Sequence, residues 1–222
     1  MKSDTSHGFW YRIFHRNPPD DMILLGKRFE RFGLTDMEMK EALQSACSFF
    51  DIPSAQIIKK LTHTPKGQTM FLDWDRKHHA DDTLCYNMQQ LIDMKVEKKD
   101  AFALVVTHEC AHEFMQRKHF EGIGLGAWDT ELASDFLLSC WAGLTKIDIF
   151  KVNMGLLTTC GSRLHPDGVL RSLFVRYGYY RVIELKEQDL PILIPGLMNE
   201  FVAFKQLHIQ QIITLHRKYE HS

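Results

Sequence analysis

The chain has 222 residues, of which 45% are hydrophobic and 25% are charged. These values are ordinary for a globular protein, and the length is enough for one substantial domain or two small lobes that share a cleft. The 27 basic and 28 acidic residues give a formal net charge of −1. This balance argues against a nucleic-acid-binding face and against a basic membrane-binding face.

The cysteines are odd in number and widely spaced, and no two of them form a C-x-x-C pair: Cys47, Cys85, Cys110, Cys140 and Cys160. Such a set indicates neither a disulfide framework nor a thiolate zinc knot. The N-terminal residues lack the continuous apolar core of a signal peptide, and the longest apolar runs are too short to cross a bilayer. A reduced, cytoplasmic protein is therefore expected.

The first part of the chain is predicted to contain one helix and several short strands. Residues 1–34 are expected to be irregular, with the aromatic side chains between Phe9 and Phe14 packed on the body. Thr35 followed by Glu38 forms a capping-box pattern, which predicts a helix that ends near residues 51–53. Beyond this helix, two to four strands are predicted at Ile57-Ile58, Thr69–Trp74 and Thr83–Met88.

The second part of the chain is predicted to be helical. The expected helices cover residues 100–120, residues 129–144, a segment that begins at His165-Pro166-Asp167, and residues 196–219. The glycine-rich segment 122–126 separates the first two helices and is interpreted as either a flexible lid or a plain loop. The wide apolar stripe of the last helix favours packing inside a bundle or against a second copy in a homodimer.

One motif in the first of these helices points to metal chemistry. His108, Glu109 and His112 form an H-E-x-x-H pattern. Residues four apart lie on one helical face, so both imidazoles can reach the same ion, while Glu109 lies about 100° away and can reach a nearby water. Because the chain holds 12 histidines, a chance match is the alternative.

Two acidic residues on the next predicted helix complete the pattern. Glu131 is a ligand of the right type for a catalytic zinc site, which commonly uses three protein ligands. Asp135, one turn further along the same face, could accept the free N–H of a ligating histidine. The alternative for Glu131 is a first-turn carboxylate that is stabilised by the helix dipole and needs no metal.

The two motifs together resemble the gluzincin clan of zinc metallopeptidases. Residues 131–135, followed by Ala142-Gly143, are similar to the E-x-E-A-D…A-G signature of the heat-shock and prenyl-protein peptidases in that clan, and the segment from His165-Pro166 to Arg171 is similar to a later motif in them. The resemblance covers roughly residues 83–175 and favours the small soluble relatives of those peptidases. It implies an α+β, zincin-like fold, in which a small N-terminal mixed or antiparallel sheet packs on the active-site helix and a mainly helical lobe follows. Residues 1–222 are accordingly predicted to form one catalytic domain, with lobes of about 1–120 and 121–222.

The resemblance also implies a mechanism for hydrolysing a peptide or protein substrate. One zinc ion per chain would be held by His108, His112 and Glu131, with Glu109 as general base. His165 and Arg171 are the candidates for stabilising the oxyanion. A catalytically silent binding or regulatory protein and a zinc hydrolase of non-peptide amides are the alternative functions.

A substrate-binding strand is expected just before the active-site helix. In gluzincins an edge strand pairs with the extended substrate, and Cys85, Tyr86 and Asn87 lie in the run that best fits this role. The same run could instead be an internal strand of the sheet.

Overall fold

The computed structural model describes residues 34–52, 57–61, 70–73, 83–93, 96, 98–117, 126–183 and 193–220. Its helices are α1 (Asp36–Phe49), α2 (Met88–Asp93), α3 (Lys99–Arg117), α4 (Ala127–Thr145), α5 (Phe150–Leu157), α6 (Gly168–Val182), α7 (Leu193–Leu207) and α8 (Ile209–Glu220). Its strands are β1 (Ile57–Leu61), β2 (Met70–Asp73) and β3 (Thr83–Asn87). The expectations for the N-terminal aromatics and for residues 122–125 fall outside the described residues.

The predicted α+β class is wrong, because helices dominate the described residues. The strands occur where the alternating runs predicted them, but each has only four or five residues and together they form one small sheet. The α+β class was inferred from the family resemblance. That inference overestimated the contribution of these short strands to the fold. The described part of the chain is better classed as mainly α-helical.

The chain divides into two compact units, Met1–Cys110 and Ala111–Ser222, and the boundary falls inside α3. The sequence placed the boundary near residue 120. The prediction that both parts belong to one catalytic domain stays a prediction.

Helix α1 of the first unit begins where the capping-box pattern predicted. The Thr35 hydroxyl accepts a hydrogen bond from the Glu38 backbone N–H, and the Glu38 carboxylate accepts one from the Thr35 backbone N–H at 2.8 Å. These two bonds satisfy backbone donors that the first helical turn leaves without a partner. One face of the helix is buried, through Met39, Leu43 and Ala46, and the C-cap residue Phe50 is also buried.

Strand β3 is the central strand of the sheet, so its interpretation as an edge strand is wrong. It pairs in parallel with β1 on one side and antiparallel with β2 on the other. The order of the strands depends on long-range pairing, which the local alternation of residues does not encode. Both backbone edges of β3 are paired at Cys85 and Tyr86, whereas Asn87 pairs only with Leu61 of β1, so the strand does not offer the free edge that was expected for an extended substrate.

Helices α4 and α6 form the centre of the second unit. Helix α4 is buried on almost every side from Trp128 to Gly143, which explains its weakly amphipathic sequence. The two helices approach closely at Gly178 of α6, where a Cβ atom would lie 2.3 Å from the Ser139 hydroxyl and 2.5 Å from the Phe136 carbonyl oxygen. Glycine is therefore required at this crossing for steric reasons.

The predicted C-terminal helix is divided into two, α7 and α8, at His208. At the junction the His208 backbone N–H donates to the Lys205 carbonyl oxygen, three residues earlier, which tightens the turn. The Lys205 ammonium is 1% exposed and lies 2.9 Å from the Asp129 carboxylate and 5.1 Å from the centre of the Phe201 ring. The homodimer through this part of the chain stays a prediction.

Among the described residues, none of the helices has the length and apolar content needed to span a bilayer.

Candidate metal centre

Helix α3 presents the two motif histidines one turn apart. The helix forms because the apolar block from Phe102 to Val106 is fully buried and holds this segment in place. His108 is 4% exposed, whereas Glu109 and His112 are partly exposed. The region therefore combines a buried imidazole with a carboxylate that water can reach.

Glu131 comes from the second turn of α4 and faces the histidines. One ligand atom from each of His108, His112 and Glu131 lies within 4.8 Å of the other two. The His112 Nε2 atom lies 3.4 Å from the Glu131 Oε1 atom. The structure thus brings together the three residues that the sequence analysis named as metal ligands.

The donor set fits a zinc ion. Two imidazoles and one carboxylate form a common protein ligand set of catalytic zinc sites, which bind at about 2.1 Å per ligand in tetrahedral geometry. Two ligand atoms in such a site lie about 3.4 Å apart, which agrees with the separation of His112 and Glu131. Residues of these types also cluster without an ion, so the fit supports a metal site but does not identify its occupant.

Arg171 of α6 contacts two of the three acidic residues of α4, Glu131 and Asp135. Its Nε and one terminal nitrogen donate to the two oxygens of Asp135, at 2.5 and 2.7 Å. The same terminal nitrogen lies 3.1 Å from the Glu131 Oε2 atom. The guanidinium group carries its N–H donors in a planar fork. This arrangement matches the two oxygens of a carboxylate better than the donors of other side chains do. Arg171 therefore fixes the orientation of Asp135 and of the candidate ligand Glu131.

This arrangement changes the interpretation of Arg171 and adds to that of Asp135. Arg171 is 1% exposed and directed at two carboxylates, which favours a positioning role over direct contact with a substrate oxyanion. The pairing of Arg171 with Asp135 was not predicted from the sequence, because the two residues lie 36 positions apart. The predicted bond from a ligating histidine to Asp135 stays a prediction.

His165 lies in the loop before α6, next to the same carboxylate. Its Nε2 atom is 3.7 Å from the Glu131 Oε1 atom, and the residue is buried. The loop is held in place because the Trp128 indole N–H donates to the Ser162 carbonyl oxygen at 2.9 Å. His165 is therefore close to the candidate metal centre, as the sequence analysis expected, although its role in catalysis stays a prediction.

Ser162 orients the His165 ring, and sequence reasoning missed it. The Ser162 hydroxyl oxygen accepts hydrogen bonds from the backbone N–H groups of Leu164 and His165, at 3.3 and 3.0 Å, and lies 3.5 Å from the His165 Nδ1 atom. The Nδ1 side of the ring therefore faces Ser162, and the Nε2 side faces the Glu131 carboxylate. The one local signal was a serine three residues before the histidine.

The comparisons with known proteins give no independent assignment: no protein-family model, curated protein or solved structure matches the chain. The resemblance to gluzincins consequently depends on the motifs alone.

Proposed function

We propose that this protein is a zinc-dependent peptidase. The observation that carries the proposal is the convergence of His108, His112 and Glu131 within 4.8 Å, with Glu109 beside His108 on the same helix. A bound zinc ion supplies Lewis acidity, which polarises a carbonyl group and makes water acidic enough to react at neutral pH.

The side chains of this chain would carry out the proton transfers. Glu109 is the general base that takes a proton from the attacking water and later delivers it to the leaving nitrogen. His165 would stabilise negative charge on the reacting carbonyl oxygen. Arg171 would act through Glu131 and Asp135, whose orientation it fixes.

The substrate class is a peptide or protein, and the proposed setting is the reducing cytoplasm. All five cysteines are free thiols, and four of them are buried, which suits a compartment where thiols stay reduced. An acidic residue placed as a base has no purpose in a purely structural zinc site, so Glu109 favours an enzyme over a silent binding protein.

The proposal is tested by measuring bound metal and cleavage in the wild type and in Glu109→Gln. We expect about one zinc per chain in both proteins, because Glu109 is not a ligand, and a loss of peptide cleavage of at least about 100-fold in the variant. Glu131→Gln should instead lower the zinc content, because it removes a ligand charge. Metal should be quantified by mass spectrometry, and cleavage with a peptide library.

Glu113→Gln is the matched control, since Glu113 lies one turn further along α3 and pairs with Arg117 at 2.8 Å. It should retain both zinc and cleavage. Metal-free wild-type protein, or cleavage that survives Glu109→Gln, would contradict the peptidase. Bound zinc without hydrolysis of any peptide would instead support the binding-protein alternative.

A further inference from the structure

Two buried cysteines meet between helices α1 and α3. The Sγ atoms of Cys47 and Cys110 are 3.9 Å apart, although the residues are separated by 63 positions in the chain. Both residues are 0% exposed. The proposed peptidase mechanism uses neither thiol.

The two sulfur atoms are in non-bonded contact. A disulfide has a sulfur–sulfur bond of about 2.05 Å, so the two sulfur atoms would have to approach by about 1.9 Å. Closing this distance requires rotation of the two side chains. Both residues belong to the unit Met1–Cys110, so the pair forms within one compact body.

We propose that Cys47 and Cys110 form a reversible oxidation site, which closes to a disulfide when the protein meets a peroxide. One thiol attacks hydrogen peroxide, forming a sulfenic acid and releasing one water molecule. The second thiol then displaces the sulfenic hydroxyl group, forming the sulfur–sulfur bond and releasing a second water. Overall, two thiols and one peroxide give one disulfide and two waters, so the protein loses two electrons and two protons.

The position of Cys110 gives this bond a consequence for the candidate metal centre. Cys110 lies two residues from His108 and two residues from His112, which places it about 160–200° around the helix from both. The disulfide would therefore fasten the face of α3 that points away from the histidines onto α1. Burial should make the reaction slower than oxidation of Cys160, the exposed cysteine.

The test counts thiols in metal-free protein, so its result does not depend on the peptidase proposal. Cys160→Ser removes the exposed thiol and leaves four cysteines. After limited treatment with hydrogen peroxide, the protein is unfolded and labelled with a maleimide. We expect the labelled cysteines to fall from four to two, a peptide cross-link to map to Cys47 and Cys110, and dithiothreitol to restore all four.

Two further variants keep the result specific. In the Cys160→Ser background, Cys47→Ala should leave three cysteines that peroxide does not join. In the same background, Cys140→Ala should still form the bond, because the buried Cys140 thiol approaches the Gly178 carbonyl oxygen in the other unit. A folded Cys160→Ser protein that keeps four labelled cysteines, or a cross-link that maps to another pair, would overturn the proposal.

Discussion

Arg171 is the residue whose side chain joins the candidate metal centre to the interior of the second unit. It is almost fully buried and holds two carboxylates, of which Asp135 is also almost fully buried. A buried arginine that pairs with a buried aspartate and a partly buried glutamate contributes little net stability compared with an apolar replacement of the whole group. Removing only the cation, however, leaves uncompensated charges in a region with little water.

Replacing Arg171 by Met should therefore destabilise the protein by about 3–5 kcal/mol, measured by urea unfolding of the metal-free chain. Arg171→Lys should recover only part of the loss, since an ammonium group cannot bind both oxygens of Asp135 as a planar fork does. Arg176→Met is the control, because Arg176 is exposed on the same helix and should change the stability by less than about 0.5 kcal/mol. Equal losses of stability in Arg171→Met and Arg176→Met would show that the carboxylates beside Arg171 do not depend on its charge.

The packing of α4 against α6 depends on the absence of a side chain at Gly178. At Gly178, any Cβ atom would overlap both the Phe136 carbonyl oxygen and the Ser139 hydroxyl group. The Cys140 thiol also approaches the Gly178 carbonyl oxygen, at 3.5 Å, so the two backbones are fixed against each other. These helices carry Glu131, Asp135 and Arg171, and a change in their spacing would displace all three.

Gly178→Ala is thus expected to cost about 1–3 kcal/mol, despite the better helix propensity of alanine, because the added methyl group forces the helices apart. The free energy of unfolding can be obtained from urea titrations followed by circular dichroism. Gly155→Ala provides the matched comparison, since the same change within α5 meets no atom within 4 Å. It should be neutral or stabilising by up to about 1 kcal/mol. Equal changes in the free energy of unfolding in Gly178→Ala and Gly155→Ala would contradict this explanation.

At the scale of the whole molecule, stability should depend on pH through a surface network that links α6 to α7. Glu200 accepts hydrogen bonds from Arg181 at 2.8 Å and from Tyr177 at 2.9 Å. The Arg181 guanidinium, followed by the Tyr177 hydroxyl, lowers the pKa of Glu200 below its usual value of 4.5. The folded state consequently binds a proton less readily than the unfolded state does.

This network stabilises the fold above pH 4.5, and its contribution is lost as the pH falls below 4.5 through the lowered pKa. Glu200→Gln should make the urea midpoint less sensitive to pH in that range. The effect should not exceed about 1 kcal/mol, because Arg181 is 51% exposed and water screens the pair. The hydrogen bonds from Thr35 also lower the pKa of Glu38 in the α1 capping box. Glu38→Gln, measured in parallel, reports the separate contribution of that capping box. An unchanged pH profile in Glu200→Gln would rule out the network as its source.

Local patterns in the sequence were sufficient for some of these features. The Thr35–Glu38 cap and the spacing of His108 and His112 involve residues within one or two helical turns, so the chain encodes them directly. Glu131 was also identified from the sequence as a candidate ligand. Its helix follows α3 closely along the chain, and the residue matches a gluzincin motif.

Long-range features were not predictable in the same way. The central place of β3, the pairing of Arg171 with Asp135 and the meeting of Cys47 with Cys110 depend on which distant segments pack together. A single sequence carries no direct signal of such pairings. The break at His208 was missed for a different reason, because the apolar periodicity continues through it.

The buried Lys205–Asp129 pair has a consequence for the order in which the second unit can be completed during synthesis. Asp129 leaves the ribosome 76 residues before its partner. Until Lys205 follows, enclosing α4 would bury a carboxylate without its cation, at a cost of several kcal/mol. The nascent chain should therefore keep α4 loosely packed until α7 arrives and supplies the missing charge.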